Sequence, residues 1–423
     1  MSFSKLGLTP SLCLPLARLG YDQPTPIQAQ AIPAVLTGTD LLARAQTGTG
    51  KTAAFGLPMI ERLAARRDRG RRRLGGLVLV PTRELAAQVH RSLATYAAPA
   101  RLRVIAIFGG VGMGPQIQSL KHGADIVVAT PGRLIDHMQR RTVDLSAVEI
   151  LTLDEADRML DLGFLPALRR VNASLPRSRQ TLCFSATLSD AVVELAAEFT
   201  RDAARVDVSE GQTVAATVTH HLHSVAIDQK RAVLTHVLTR EEGNQALVFC
   251  KTKRGSDRVG EHLERAGIKT AVIHGNKSQG ARTRALGDFK AGRVNVLVAT
   301  DIAARGLDIA QLPLVINYDL PLVAEDYIHR VGRTGRAGRS GRAVSLVSPA
   351  DSRLLRDIQR LLPEPLEQVA LEGLTANHAE LANPKPGRSR DWSRENRFAR
   401  SRRTPERTAR HNRFPKERTV VAR

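Results

Sequence analysis

Aromatic residues make up only 4% of this chain of 423 residues, and tryptophan occurs once. Cysteine occurs three times, at Cys13, Cys183 and Cys250, with no C-x-x-C pair. That spacing encodes no thiolate metal site or redox couple. Cys183 and Cys250 lie inside apolar runs and are expected to be buried small hydrophobes. No run approaches the roughly 18 apolar residues of a membrane helix, and no charged segment followed by an unbroken apolar stretch opens the chain. A soluble, cytoplasmic protein is expected, with no membrane partner. Acid is in deficit as well: 41 Asp and Glu stand against 63 Lys and Arg, for a net charge of +22. Such a balance points to a polyanionic partner.

The chain is long enough for two or three domains. Its most informative stretch is Ala45-Gln46-Thr47-Gly48-Thr49-Gly50-Lys51-Thr52. The apolar Leu41-Leu42-Ala43 precedes it and Ala53-Ala54-Phe55 follows, which predicts strand, loop, helix. In that setting backbone N–H groups and the helix N-terminus can wrap a polyphosphate, Lys51 can reach its terminal oxygens, and the Thr52 hydroxyl can ligate Mg²⁺. Ala45 stands where the general pattern G-x-x-x-x-G-K-[ST] has its first glycine, so the octet alone leaves a flexible turn as the alternative.

From there to about Val208, short apolar runs alternate with helical patterns, which predicts a doubly wound α/β domain on a parallel sheet. Each run ends in a polar or glycine-rich cluster: Pro81-Thr82-Arg83-Glu84, Gly109-Gly110, Thr130-Pro131-Gly132-Arg133, Asp154-Glu155-Ala156-Asp157 and Ser185-Ala186-Thr187. Ligands of open α/β sheets bind at strand C-terminal ends, so these clusters are expected to share one edge with the glycine loop. The pattern lapses around residues 209–219, read as a linker, and a second parallel-sheet domain without a glycine-rich lysine loop follows over 220–375. Residues 376–423 form an Arg-rich tail. From Lys385 on it holds fourteen Lys and Arg against four Asp and Glu, nearly half of the net charge. With so few aliphatic residues the tail is expected to be disordered, and Trp392, Phe398 and Phe414 among its arginines suit base stacking.

Asp154 at a strand end is expected to hold Mg²⁺, partly through water, and Glu155 to act as general base. In the second domain, His329 to Arg336 places three arginines in eight residues, a concentration suited to phosphate oxygens. Hydrolysis by way of these arginines would require the two domains to close.

Taken together, Gln28, the loop 45–52, Pro81 to Leu85, Thr130 to Arg133, the literal Asp-Glu-Ala-Asp of 154–157, Ser185 to Thr187, His274-Gly275 with Gln279 and Arg282, Ala299 to Asp308, and His329 to Arg336 resemble the ordered motif set of the DEAD-box RNA helicases. The opening Met-Ser-Phe, the compact core and the basic tail are similar to the bacterial RhlE-type branch. The resemblance implies two tandem RecA-like domains, ATP with Mg²⁺, RNA as partner, and further partners in RNA decay or ribosome assembly. It also implies roles. Phe3 and Tyr21 would pack on the adenine while Gln28 reads its edge. Lys51 and Thr52 would hold phosphate and Mg²⁺, Gly306 and Asp308 would lie near the ribose, and Arg333 and Arg336 would meet the γ-phosphate. Ser185 and Thr187 would couple hydrolysis to strand separation. Pro81, Thr82, Arg83, Gly109, Gly110, Thr130, Pro131, Gly132, Arg133, Thr252, Lys253, Arg282, Thr300 and Asp301 would line the RNA path. Asn276-Lys277 departs from the acidic residue expected after His274-Gly275. A nucleotide-switched RNA clamp or annealing factor, and a DNA translocase of related fold, are the rival readings.

Overall fold

The computed structural model of the protein describes residues 2–46, 48–66, 72–208, 218–240, 244–304, 307, 309, 312–335, 341–362, 364 and 366–369. Thr47, Gly306, Asp308, Arg336 and the basic tail therefore lie outside the described residues.

Fourteen strands form two sheets among the described residues. The first holds β1 (Leu41–Arg44), β2 (Gly76–Leu79), β3 (Val104–Ile107), β4 (Ile126–Ala129), β5 (Ile150–Asp154), β6 (Gln180–Ser185) and β7 (Ala204–Asp207). The second holds β8 (Val218–Ser224), β9 (Ala246–Phe249), β10 (Thr270–Ile273), β11 (Val296–Ala299), β12 (Leu314–Asn317), β13 (Gly341–Val347) and β14 (Glu367–Gln368). Every pairing is parallel, as expected from strands that read as near-continuous Val, Ile and Leu runs. These are two tandem RecA-like domains. β8 opens at Val218, inside the expected linker.

Burial explains why these runs are strands. Successive side chains point to opposite faces, so both faces must find cover. Leu77 and Leu79 pack with Leu151, Leu153 and Cys183 on one side of the first sheet, while Val78 and Val80 join Ile126, Leu182 and Phe184 on the other. Each fully buried aliphatic side chain of this kind contributes about 1.5–3 kcal/mol relative to exposure. Cys183 sits in the first of these layers and Cys250 in the core of the second sheet, both without exposure, and burial pushes the Cys183 thiol up to about 12.

The strand order is β3-β4-β2-β5-β6-β1-β7 in the first sheet and β10-β11-β9-β12-β13-β8-β14 in the second. The two orders match strand for strand, so the second domain repeats the first. In the first sheet β6 lies between β1 and β5, and the segments that leave these three strands emerge side by side. Those segments are the glycine loop, Ser185 to Thr187, and Asp154 to Asp157. In the second domain the equivalent place is filled from within. Lys230, at the position that corresponds to Lys51, is buried and donates to the Tyr318 carbonyl at 3.1 Å and to Asp351 Oδ2 at 3.3 Å.

Candidate nucleotide site and the contacts that cross the domains

The glycine loop is held open by its own backbone and by the segment before it. Gly48 and Gly50 have φ of 86° and 92°, a left-handed region that glycine adopts at little cost. At Gly50 the requirement is double, because a Cβ would also run into Gln28 Nε2. Gln28 is buried at the start of the helix Pro26–Leu36, where its Oε1 accepts from the Thr25 N–H at 2.9 Å and its Nε2 donates to the Gly50 carbonyl at 3.1 Å. The Thr25 hydroxyl donates to the Thr49 carbonyl at 2.7 Å, and the Thr49 hydroxyl to Gln46 O at 2.8 Å. Ala45 donates its N–H to the Ser185 carbonyl, which anchors the loop's base to β6. A methyl is tolerated there because Ala45 is not among the positive-φ positions and its side chain packs in the core.

Lys51 is 7% exposed and donates to the Ala45 carbonyl at 2.9 Å. Asp154 is 3% exposed, and its Oδ1 has no hydrogen-bond partner. Burial raises the Asp154 carboxyl to about 7, against the pull of the Lys51 ammonium and with help from Glu155. The orphaned buried carboxylate oxygen of Asp154 and the Thr52 hydroxyl are oxygen donors of the kind that fits a hard divalent cation. Glu155 has φ 55° and ψ 54°, a left-handed conformation that costs a non-glycine residue roughly 1 kcal/mol or more. It begins the helix Ala156–Asp161 and is 6% exposed.

These groups share a cavity of about 390 Å³ with Tyr21, Gly48, Gly50 and Thr52 from the first domain, and with Leu307, Ile309 and Arg333 from the second. Arg333 is held by a hydrogen bond from Nη1 to the Leu307 carbonyl at 2.8 Å. One arginine expected at the γ-phosphate is therefore at the cavity wall. Phe3 and Gln28 do not line it; Phe3 is 5% exposed within the first domain's core. The helix Arg83–Ala97 contributes Gln88, Arg91, Ser92 and Tyr96, which sequence reasoning missed. Their i, i+3, i+4 and i+8 spacing marks one helix face, the available signal. Tyr96 exchanges a hydrogen bond with the Tyr21 hydroxyl at 3.0 Å.

Asp157 is the hub of the hydrogen bonds around Ser185 to Thr187, the segment expected to couple hydrolysis to strand separation. Its Oδ2 accepts from Ala186 N–H at 3.2 Å and from the Thr187 hydroxyl at 3.4 Å, and Ser185 Oγ accepts from Thr187 N–H at 3.3 Å. Arg158, the next residue, reaches Asp326 of the second domain at 2.7 Å, with side chains 7% and 11% exposed. A second bridge joins Glu84 to Arg282 at 3.0 Å, and the Gln279 amide donates to the same Glu84 oxygen at 3.0 Å. Arg282, expected along the RNA path, is thus committed to the domain interface.

The remaining residues expected along the RNA path sit just beyond strand C-terminal ends. Thr82 and Thr252 cap their helices by accepting from Leu85 and Gly255 N–H. Thr130 precedes the helix Pro131–Gln139 and Thr300 the short helix Asp301–Ala304. Pro81 is buried, whereas Gly132, Thr252 and Lys253 are exposed. Gly110, with φ 77°, lets the backbone pass so close to Arg83 that a Cβ would strike its guanidinium. Arg133 donates to the Val111 carbonyl, beside Gly109-Gly110, at 3.1 Å. Lys253 donates to Asn276 Oδ1 at 2.8 Å, a neutral acceptor that leaves the ammonium charge uncancelled. Asp301 is bound bidentately by Arg330, at 2.6 and 2.7 Å.

A family model of the DEAD/DEAH box helicases matches residues 25–195, and one of the helicase conserved C-terminal domain matches 229–338. The RNA helicase CrhR of Synechocystis sp. is 43% identical over 367 residues, covering 86% of this chain and 74% of CrhR. The ATP-dependent RNA helicase DeaD of Klebsiella pneumoniae is 41% identical over 371 residues, covering 88% of this chain but only 57% of DeaD. Among solved structures, S. cerevisiae Dbp5 bound to RNA and ADP BeF3 is similar with a TM-score of 0.78 and 32% identity, across 87% of this chain and 94% of that one.

Proposed function

This chain belongs to the DEAD/DEAH box helicase family and is by class an ATP-dependent RNA helicase; we propose that it hydrolyses ATP when RNA and nucleotide together close its two domains, and that closure separates short RNA duplexes locally. The observation that carries this reading is the composite cavity, in which Lys51, Thr52, Asp154 and Glu155 of one domain face Arg333 of the other. On this reading Lys51 and the loop N–H groups bind the phosphates, and Tyr21 supports the adenine. Glu155 takes a proton from the attacking water, while Arg333 stabilises charge that develops on the transferred phosphoryl group. Thr52 and Asp154 would hold Mg²⁺, which when bound neutralises phosphate charge.

RNA enters the scheme through helix N-termini and small residues. The helices starting at Arg83, Pro131 and Lys253 offer backbone N–H groups to phosphates at one face, with Arg83, Arg133 and Lys253 adding charge. Because nucleotide and RNA each favour the closed state, their binding is reciprocally coupled. The route for that coupling is the chain Thr187, Asp157, Arg158, Asp326. The basic tail adds non-specific phosphate contacts, and the setting is cytoplasmic. The RhlE-type assignment rests on the opening Met-Ser-Phe, the compact core and the tail.

The test is a multiple-turnover ATPase assay with and without RNA. Stimulation by RNA and much less by DNA of equal length is expected; turnover that no RNA accelerates would refute the mechanism. The coupling route is tested by a double-mutant cycle on Arg158→Ala and Asp326→Ala. We expect each to reduce RNA-stimulated turnover about tenfold, with a coupling energy of about 1–3 kcal/mol. Strictly additive effects would remove this pair from the route.

A further inference from the structure

The edge of the first sheet that faces away from the nucleotide site carries a second concave surface. It lies where the chain enters β2, β4 and β5, and its cavity measures about 860 Å³. Arg72, Arg73, Lys121, His122 and Arg141 line it, with Asp144 the one carboxylate in the lining. Its Oδ1 accepts the neutral Ser146 N–H at 2.9 Å, so a single negative charge stands among the four cations Arg72, Arg73, Lys121 and Arg141. Arg72 is shared between Asp125, at 3.8 Å, and the Arg101 carbonyl. Arg73, Lys121 and Arg141 have no ion-pair partner among the described residues.

Helix electrostatics accounts for only part of this cluster. Lys121 ends the helix Met113–Lys121, where a cation is ordinarily favoured. Arg141 is different. It follows the end of the helix Pro131–Gln139 with φ 54°, the left-handed position that glycine usually takes. An arginine there bears a conformational cost that glycine avoids, and its side chain lines the cavity. A cavity of about 860 Å³ with this lining has room and charge for several phosphates in series. Guanidinium forks pair bidentately with phosphate and carboxylate oxygens alike, but a phosphodiester backbone presents its charges at a regular short repeat, which several fixed cations in one concave surface can neutralise together.

We infer that this edge is a second polyanion-binding surface, taking the phosphodiester backbone of an RNA segment outside the cleft between the domains. The inference rests on RNA being the substrate. It implies a division of labour by RNA length. The sheet separates the two edges by the length of its strands, roughly 13–20 Å. A short single strand held in the cleft cannot reach both, whereas a long or folded RNA can wrap from one edge to the other.

The experiment compares the full chain with Arg73→Glu/Lys121→Glu/Arg141→Glu and the milder Arg73→Gln/Lys121→Gln/Arg141→Gln. Two RNAs are used, a short single strand and the same strand joined to a long hairpin. For the hairpin RNA we expect affinity to fall about tenfold or more in the charge-reversed protein, less in the Gln protein, and the salt slope to flatten by about 2, given 0.7–0.9 per phosphate contact. ATPase stimulation by the short strand should be unchanged, which also reports intact folding. Equal affinity and slope for the hairpin RNA would overturn the inference, as would equal losses on both RNAs in the Gln protein. Unchanged RNA binding with lost binding of polyglutamate would overturn it in favour of an acidic protein partner. Failure of the short strand to stimulate the unmodified protein would instead count against the helicase reading itself.

Discussion

Glu155→Gln should bind ATP with nearly unchanged affinity and lose turnover by about 10²- to 10⁴-fold, the usual contribution of a positioned general base. The substitution keeps volume and hydrogen-bonding capacity but removes the ability to take up a proton. Its selectivity depends on the geometry around it. Glu155 lines the cavity with Lys51, Thr52 and Arg333, and its left-handed backbone turns the chain out of β5 into the next helix. Glutamine bears the same backbone cost as glutamate, so the fold is expected to be unaffected. Single-turnover hydrolysis together with binding of a fluorescent nucleotide separates the two steps. Turnover within twofold of the unmodified protein would reassign the base, with Asp154 the other carboxylate in the cavity.

Asp154→Asn should act in opposite directions on stability and on activity. In the nucleotide-free protein burial raises this carboxyl to about 7, whereas in the unfolded chain it ionises at its ordinary value of 3.8. Between those values the folded state holds a proton that the unfolded state has released, so stability falls as pH rises through this window and stays lower above it. Asparagine has no such penalty. At pH 8 the nucleotide-free variant is therefore expected to be more stable than the unmodified protein, by on the order of 2–4 kcal/mol at most, with the gap closing toward pH 5. Magnesium-dependent nucleotide binding and turnover should be lost at both. Thermal unfolding at the two pH values checks the first part, and nucleotide titration with and without Mg²⁺ the second. A variant less stable at pH 8 would show that attraction between Asp154 and Lys51 outweighs desolvation.

The opposition of these two effects explains why a carboxylate stands at a position that would be more stable without one. A buried, unpartnered oxygen is an expense that a folded core seldom retains unless a ligand satisfies it. The site is thus readable from its own strain. Asp154 has an orphaned oxygen, Glu155 a left-handed backbone, and Gly50 a place that no side chain could occupy.

Much of this was legible in the residues. The short apolar runs alternating with helical patterns up to about Val208 are strands and helices, among them the strands Ile126–Ala129 and Ile150–Asp154 and the helix Asp190–Phe199. The reason is that strand, turn and helix cap are encoded within a few neighbouring residues. β7 and β14 were not foreseen, because Ala204–Asp207 alternates charge with small apolar residues and Glu367–Gln368 has no apolar residue.

By itself the sequence determined two parallel-sheet domains, a glycine-rich loop between a strand and a helix, and carboxylates at the end of a strand nearby. Each of these is a local pattern, written in residues that touch because they are adjacent. Only the tertiary structure decided which distant groups meet: Asp157 with Thr187, Arg158 with Asp326, Glu84 with Arg282, and Tyr21 with Tyr96. It also decided that Lys230 occupies in the second domain the place that Lys51 keeps open in the first. Such contacts follow from strand order and from how side chains fill the space between packed elements. No window of sequence carries that information, since the partners are separated by tens to more than a hundred residues and their pairing is fixed only when both sheets have formed.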